Sequence, residues 1–142
     1  MLAELRYQIR RFLRRREEAA RAAGVEPQQY VLLLQLKGLT ARQAPTIGAL
    51  AERLQIRHHS AVELVDRLVE RDMVARQRHG RDRREVVVAM RPAGEAVLRR
   101  LAQYSVEELR TEGPALVDVL RRLVQGGGRR QSMNGSRTGG AR

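Results

Sequence analysis

Within residues 77–86, QRHGRDRREV, four arginines and a histidine surround a single aspartate, Asp82. The arginines are Arg78, Arg81, Arg83 and Arg84, and Gly80 marks a turn between two apolar runs. A guanidinium is a permanently charged planar fork whose donors match phosphate oxygens and base edges. A solvated hairpin tip explains two or three such charges but poorly explains four together. A loop bordering phosphates explains them all.

A second polar group precedes it: Arg57, His58, His59, Ser60, Glu63 and Arg67. Neighbouring residues on a helix point about 100° apart, so His58 and His59 cannot chelate one metal ion without outside ligands. Contact with a base or phosphate from the start of a helix suits them better. Glu63 repels phosphate, yet its carboxylate can accept from the amino group of cytosine. No nucleotide-binding glycine loop, nucleophile elbow or paired catalytic carboxylate is present, so neither an enzyme nor a cofactor is expected. Phe12, Tyr7, Tyr30 and Tyr104 are scattered, which argues against base stacking on single strands.

The elements that must hold these groups follow from periodicity. Residues 2–23 read as a helix, with Leu2, Leu5, Ile9, Phe12 and Leu13 at helical spacing among five arginines (Arg10, Arg11, Arg14, Arg15, Arg16), closed by Gly24. PQQYVLLLQLKG (27–38) reads as a buried helix opened by Pro27 and closed by Gly38. Thr46 is a good N-cap for TIGALAERLQI, after a turn at 39–45. Residues 58–72 form the clearest helix, with Ala61, Val62, Leu64, Val65, Leu68 and Val69 on one side and His59, Ser60, Glu63, Asp66, Arg67, Glu70 and Arg71 on the other. MVARQR (73–78) and EVVVAM (85–90) read as the arms of a hairpin. Helices at 92–111 and 114–124 follow, separated by a break at EGP (112–114). Two short helices followed by a hairpin make a helix-turn-helix with a wing, whose second helix faces the major groove.

Composition agrees. The formal net charge is +12, and 27 of the 28 basic residues are arginine, Lys37 being the exception. Such a surplus favours a polyanion, either nucleic acid or an anionic membrane. The chain has no cysteine, which excludes disulfides and thiolate metal sites. No apolar run is long enough to span a bilayer and no signal-peptide pattern opens the chain, so a cytoplasmic protein is expected. Residues 126–142 hold six glycines, four arginines and no acid, a composition expected to be disordered.

The order of segments, with LVDRLVERDMVARQ (64–77), RDRREVVV (81–88) and RPAGEAVL (91–98), resembles the MarR (multiple antibiotic resistance regulator) family of winged-helix transcription factors. The likeness covers residues 2–124. That family's wing carries aspartate, any residue, then arginine, followed by a strand and a Leu-Thr-x-x-Gly helix start. Asp82 and Arg84 match the first part, Val86 and Val88 the strand, and Gly94 the glycine. By resemblance, Asp82 orients the fork of Arg84 toward a minor groove. Two positions depart: Met90-Arg91 replaces Leu-Thr, and Glu63 stands where relatives often carry arginine.

The resemblance implies a mostly α fold: a winged helix-turn-helix with a small β-hairpin wing and terminal dimerisation helices. A single MarR-like domain would occupy residues 1–125, with DNA binding at 39–91 and dimerisation at 2–23 and 92–125. The implied protein is a homodimeric repressor of a pseudo-palindromic operator on double-stranded DNA. A small aromatic or anionic ligand would release it, with Tyr7 and Arg11 as candidates for the cleft. No metal and no membrane partner are expected. Two alternatives remain: a sequence-tolerant architectural DNA-binding protein, and a membrane-surface protein using the basic first helix.

Overall fold

The computed structural model describes residues 1–78 and 85–126. Among these, the chain forms α1 (Leu2–Ala22), α2 (Pro27–Thr40), α3 (Ile47–Leu54), α4 (His58–Glu70), β1 (Val74–Arg78), β2 (Val86–Met90) and α5 (Pro92–Gly126). The architecture is a mostly helical winged helix with a two-stranded antiparallel hairpin. Contacts divide it into two compact units: Arg15–Ser105, and Met1–Arg14 together with the described residues from Val106 onward. The expected disorder of the tail falls, beyond Gly126, outside the described residues.

The Arg15–Ser105 unit is built around α2, because Tyr30, Leu32, Leu33, Leu36 and Leu39 are all buried and α2 therefore packs on several sides. Leu50 of α3, Leu64, Val65 and Leu68 of α4, Val74 and Val88 of the hairpin, and Val97, Leu98 and Leu101 of α5 complete one core. Gly38 does not end α2. The helix runs on to Thr40, because burying Leu39 holds the last turn and the Thr40 hydroxyl donates to the Leu36 carbonyl at 2.8 Å. A glycine inside a helix costs only about 1 kcal/mol, less than burying a leucine yields.

Thr46 caps α3 as expected, its Oγ1 accepting from the Ala49 N–H at 3.1 Å. Gln55 then turns the chain with φ 56°, and the Ile56 N–H returns to the Ala51 carbonyl at 3.0 Å, closing α3 before α4 begins. In α4, Ala61, Leu64, Val65 and Leu68 are buried, but Val62 is half-buried and Val69 is exposed, not on the core side. Each lies about 100° around the helix from the middle of the buried stripe, at its edge.

The hairpin pairs Val74 with Met90, Arg76 with Val88 and Arg78 with Val86. Thr46 bridges Val87, and the Val88 N–H donates to the Pro45 carbonyl at 2.9 Å, so the lead into α3 lies along β2 like a short third strand. Pro92 opens α5 in its first turn, where its missing N–H has no partner to lose. Gly94 is buried and leaves no room for a side chain, since a Cβ would lie 2.4 Å from the Met73 carbonyl oxygen and 2.9 Å from the Met90 sulfur.

The break expected at 112–114 is absent: α5 is one helix of 35 residues with Pro114 inside it. A proline removes a single N–H from the ladder and crowds one carbonyl, an effect of about 3 kcal/mol, and the helix formers beyond Gly113 and Pro114 on either side, such as Leu109, Arg110, Ala115 and Leu116, carry the helix through. In the unit containing Met1–Arg14, apolar side chains face solvent on both of its helices. Leu2 and Leu13 of α1 are 68% and 51% exposed, and Leu109, Leu120 and Val124 of α5 are 50%, 42% and 78% exposed.

Candidate nucleic-acid interface

Helix α4 carries the first predicted group. Arg57 is its N-cap residue, with extended backbone and no capping side chain, so the free N–H groups of the first turn point outward beside His58 and His59. Arg57, His58, His59, Glu63 and Arg67 are exposed, and Ser60 is half-buried. Burial of Ala61, Leu64, Val65 and Leu68 turns His59 and Glu63 to the opposite side and Arg67 toward its edge, while Arg57 and His58 are exposed at the helix start. Among the described residues Glu63 has no ion-pair partner, which leaves its carboxylate available as an acceptor.

The wing begins at β1. Strand alternation puts Val74, Arg76 and Arg78 on one face, with Val74 buried and the two arginines exposed. Arg76 donates from Nη2 to Asp66 Oδ1 of α4, so the hairpin is tied to the middle of the helix. Of the predicted wing residues the structure describes Arg78 alone. Arg81, Asp82, Arg83 and Arg84 lie outside the described residues, as does the proposed orientation of Arg84 by Asp82.

Two positioning arginines escaped sequence reasoning. Arg76 was detectable in principle, because an arginine two residues after a buried strand valine shares its face, toward α4. From the sequence, Arg71 reads only as part of the polar side of its helix. Its fork donates to the Gly24 carbonyl at 2.7 Å and to Gln29 Oε1 at 3.0 Å. Gln29 is the buried polar side chain of the core, and its Oε1 also accepts from the Glu26 N–H at 3.3 Å. Arg71 thus pins the end of α4 to the α1–α2 elbow, where Gly24 takes φ 79°. No local pattern announces that contact, since its partners lie 42 and 47 residues away.

The candidate cleft residues both sit on α1. Tyr7 is 57% exposed, and Arg11 Nε lies 3.7 Å from Glu112 Oε1. Neither lines the groove of about 650 Å³ formed by Lys37, Arg42, Pro45, Val87 and Met90, among others. Among the described residues no three acidic or histidine side chains gather to hold a metal ion, and no helix is long and apolar enough to cross a membrane.

Residues 23–85, from the α1–α2 elbow to the edge of β2, match the model of the MarR family. This segment is similar to a MarR-family domain. The MarR fold extends over most of the chain, as solved structures show. AbsC, a MarR family transcriptional regulator from Streptomyces coelicolor, is 18% identical with a TM-score of 0.69, over 84% of this chain and 82% of that one. A mutant of MepR from S. aureus, bound to an oligodeoxyribonucleotide, is 14% identical with a TM-score of 0.65, over 85% and 93%. BpsR from Bordetella bronchiseptica, whose DNA binding is regulated by 6-hydroxynicotinic acid, is 21% identical with a TM-score of 0.59, over 84% and 89%. A comparison with curated protein sequences found no match. In this winged-helix fold, α3 and α4 are the helix-turn-helix and the β1–β2 hairpin is the wing.

Proposed function

We propose that this chain is a transcriptional regulator that binds double-stranded DNA, with α4 in the major groove and the hairpin beside the backbone. The observation that carries this reading is the exposed row Arg57, His58, His59, Glu63 and Arg67 on the second helix of a MarR-family helix-turn-helix, adjoined by Arg78. Helix N-termini, arginine forks and histidine donors suit phosphates and guanine edges, and a carboxylate suits the cytosine amino group. Arg81, Asp82, Arg83 and Arg84 enter the reading through their charge and the family motif. The oligonucleotide bound to MepR supports the partner.

The protein acts as a homodimer in the cytoplasm, repressing from a pseudo-palindromic operator. Support comes from the exposed leucines and valines of Met1–Arg14 and of α5 beyond Val106, which need a cover. On this reading residues 1–125 form one domain, and the arginines of the tail add charge without sequence preference. Release by a small aromatic or anionic ligand is supported by the regulation of BpsR by 6-hydroxynicotinic acid. Tyr7 and Arg11 are the candidate contacts. The chain binds rather than catalyses.

Selection from random duplexes with the full chain, followed by footprinting, tests this function. A discrete protected site of two half-sites is expected. Uniform coating of every duplex would show an architectural protein instead.

A further inference from the structure

We infer that the ion pair between Asp66 and Arg76 is a charge mask on the recognition helix, which makes Arg76 a positioning residue and leaves Arg78 as the strand's phosphate contact. The inference rests on the DNA-binding reading above. Three carboxylates, Glu63, Asp66 and Glu70, fall within about 60° of one another on the exposed side of α4. A bare carboxylate on a surface laid against phosphates repels them. Asp66 is not bare, because Arg76 Nη2 donates to its Oδ1 from β1.

The pair is half exposed, with side chains 36% and 51% accessible, so its contribution to folding is small. Its consequence lies in the field presented to DNA. With Arg76 in place the middle of α4 presents no net charge at Asp66, and the hairpin is held at one setting against the helix. Arg78 shares the strand face of Arg76 and stands about 7 Å further toward the loop. It is exposed, and its fork is directed by no partner on α4.

The test is a double-mutant cycle on a duplex selected with the wild-type chain, titrated over a salt series, with thermal melts confirming that each variant folds. Arg76→Ala is expected to weaken binding about tenfold, the effect of unmasking one carboxylate near phosphates. Asp66→Asn is expected to bind no more weakly than wild type. Adding it to Arg76→Ala is expected to restore binding to within about threefold, with an unchanged dependence on salt. Arg78→Ala, in contrast, is expected to lower the slope of log K against log salt by about 0.9, the signature of one lost phosphate contact. Arg76→Gln, which keeps much of the side-chain stem, should reproduce Arg76→Ala.

A double mutant that stays tenfold weak, with its salt slope lowered by about 0.9, would show that Arg76 touches DNA and would overturn the inference. Unaltered binding by Arg76→Ala would overturn it too. If the wild-type chain selects no duplex, the DNA-binding reading itself fails and this inference with it.

Discussion

Substituting Gly94 by alanine should destabilise the Arg15–Ser105 unit, while the same change at Gly38 should stabilise it. Both glycines lie in helices. They differ in what a methyl group would meet. At Gly94 it would stand 2.4 Å from the Met73 carbonyl oxygen, 2.9 Å from the Met90 sulfur and 3.2 Å from Leu33 Cδ2. Real Cβ atoms essentially never come within 3.0 Å of another group, so α5 must retreat from Met73 by about 0.6 Å or more. Retreat stretches the 2.9 Å hydrogen bond from the Arg91 N–H to that carbonyl and loosens α5 against the hairpin. Overpacking of this kind costs about 1–3 kcal/mol, and a weakened hydrogen bond adds up to about 1. Alanine's better helix propensity returns about 0.5–1 kcal/mol, leaving a net loss of up to about 3.5 and, at mid-range, about 2. At Gly38 nothing lies within 4 Å, so only the propensity gain of about 0.5–1 kcal/mol remains. Urea unfolding at one fixed protein concentration measures both, because the apparent stability of the proposed homodimer would depend on concentration. Equal, stabilising effects at the two sites would refute the close approach of α5 to Met73.

Glu63→Ala should change the selected base at one position of each half-site, with about 1–3 kcal/mol less discrimination there and little loss of non-specific affinity; an unchanged consensus would show that Glu63 reads no base. Leu13→Glu or Leu120→Glu, at residues 51% and 42% exposed, should shift the protein toward monomer in sedimentation without unfolding it, and an unaltered dimer would move the interface elsewhere. Arg71→Lys should lose about 1–3 kcal/mol of stability in thermal unfolding, because an ammonium cannot span both the Gly24 carbonyl and Gln29 Oε1; a neutral result would show that the fork is dispensable.

Features set by neighbouring residues were legible in the sequence. The Thr46 cap, the strand character of both hairpin arms and the arrangement of two short helices before the wing need only local geometry. Gly94 was marked by its motif, and its reason emerged from the carbonyl of Met73, in contact across 21 residues of chain. Readings failed where packing overrode a local signal. Gly38 and Pro114 look like stops, but Leu39 has a core to enter and α5 has helix formers beyond its proline. Val62 and Val69 look like core residues by type, and their angle on α4 places them at its rim. The exposed side of α4 was readable because helical periodicity separates it from the buried stripe. Arg71 and Arg76 were not, since their roles depend on partners from other elements.

The most direct test of the central claim is a footprint of the full chain on a duplex taken from unbiased selection, read together with the stoichiometry of the complex. Two chains are expected on one discrete site, protecting half-sites whose centres lie about one helical turn, or a multiple of it, apart. Protection that spreads evenly along any duplex and varies only with salt, or no protection at all, would contradict the assignment of α4 as a recognition helix.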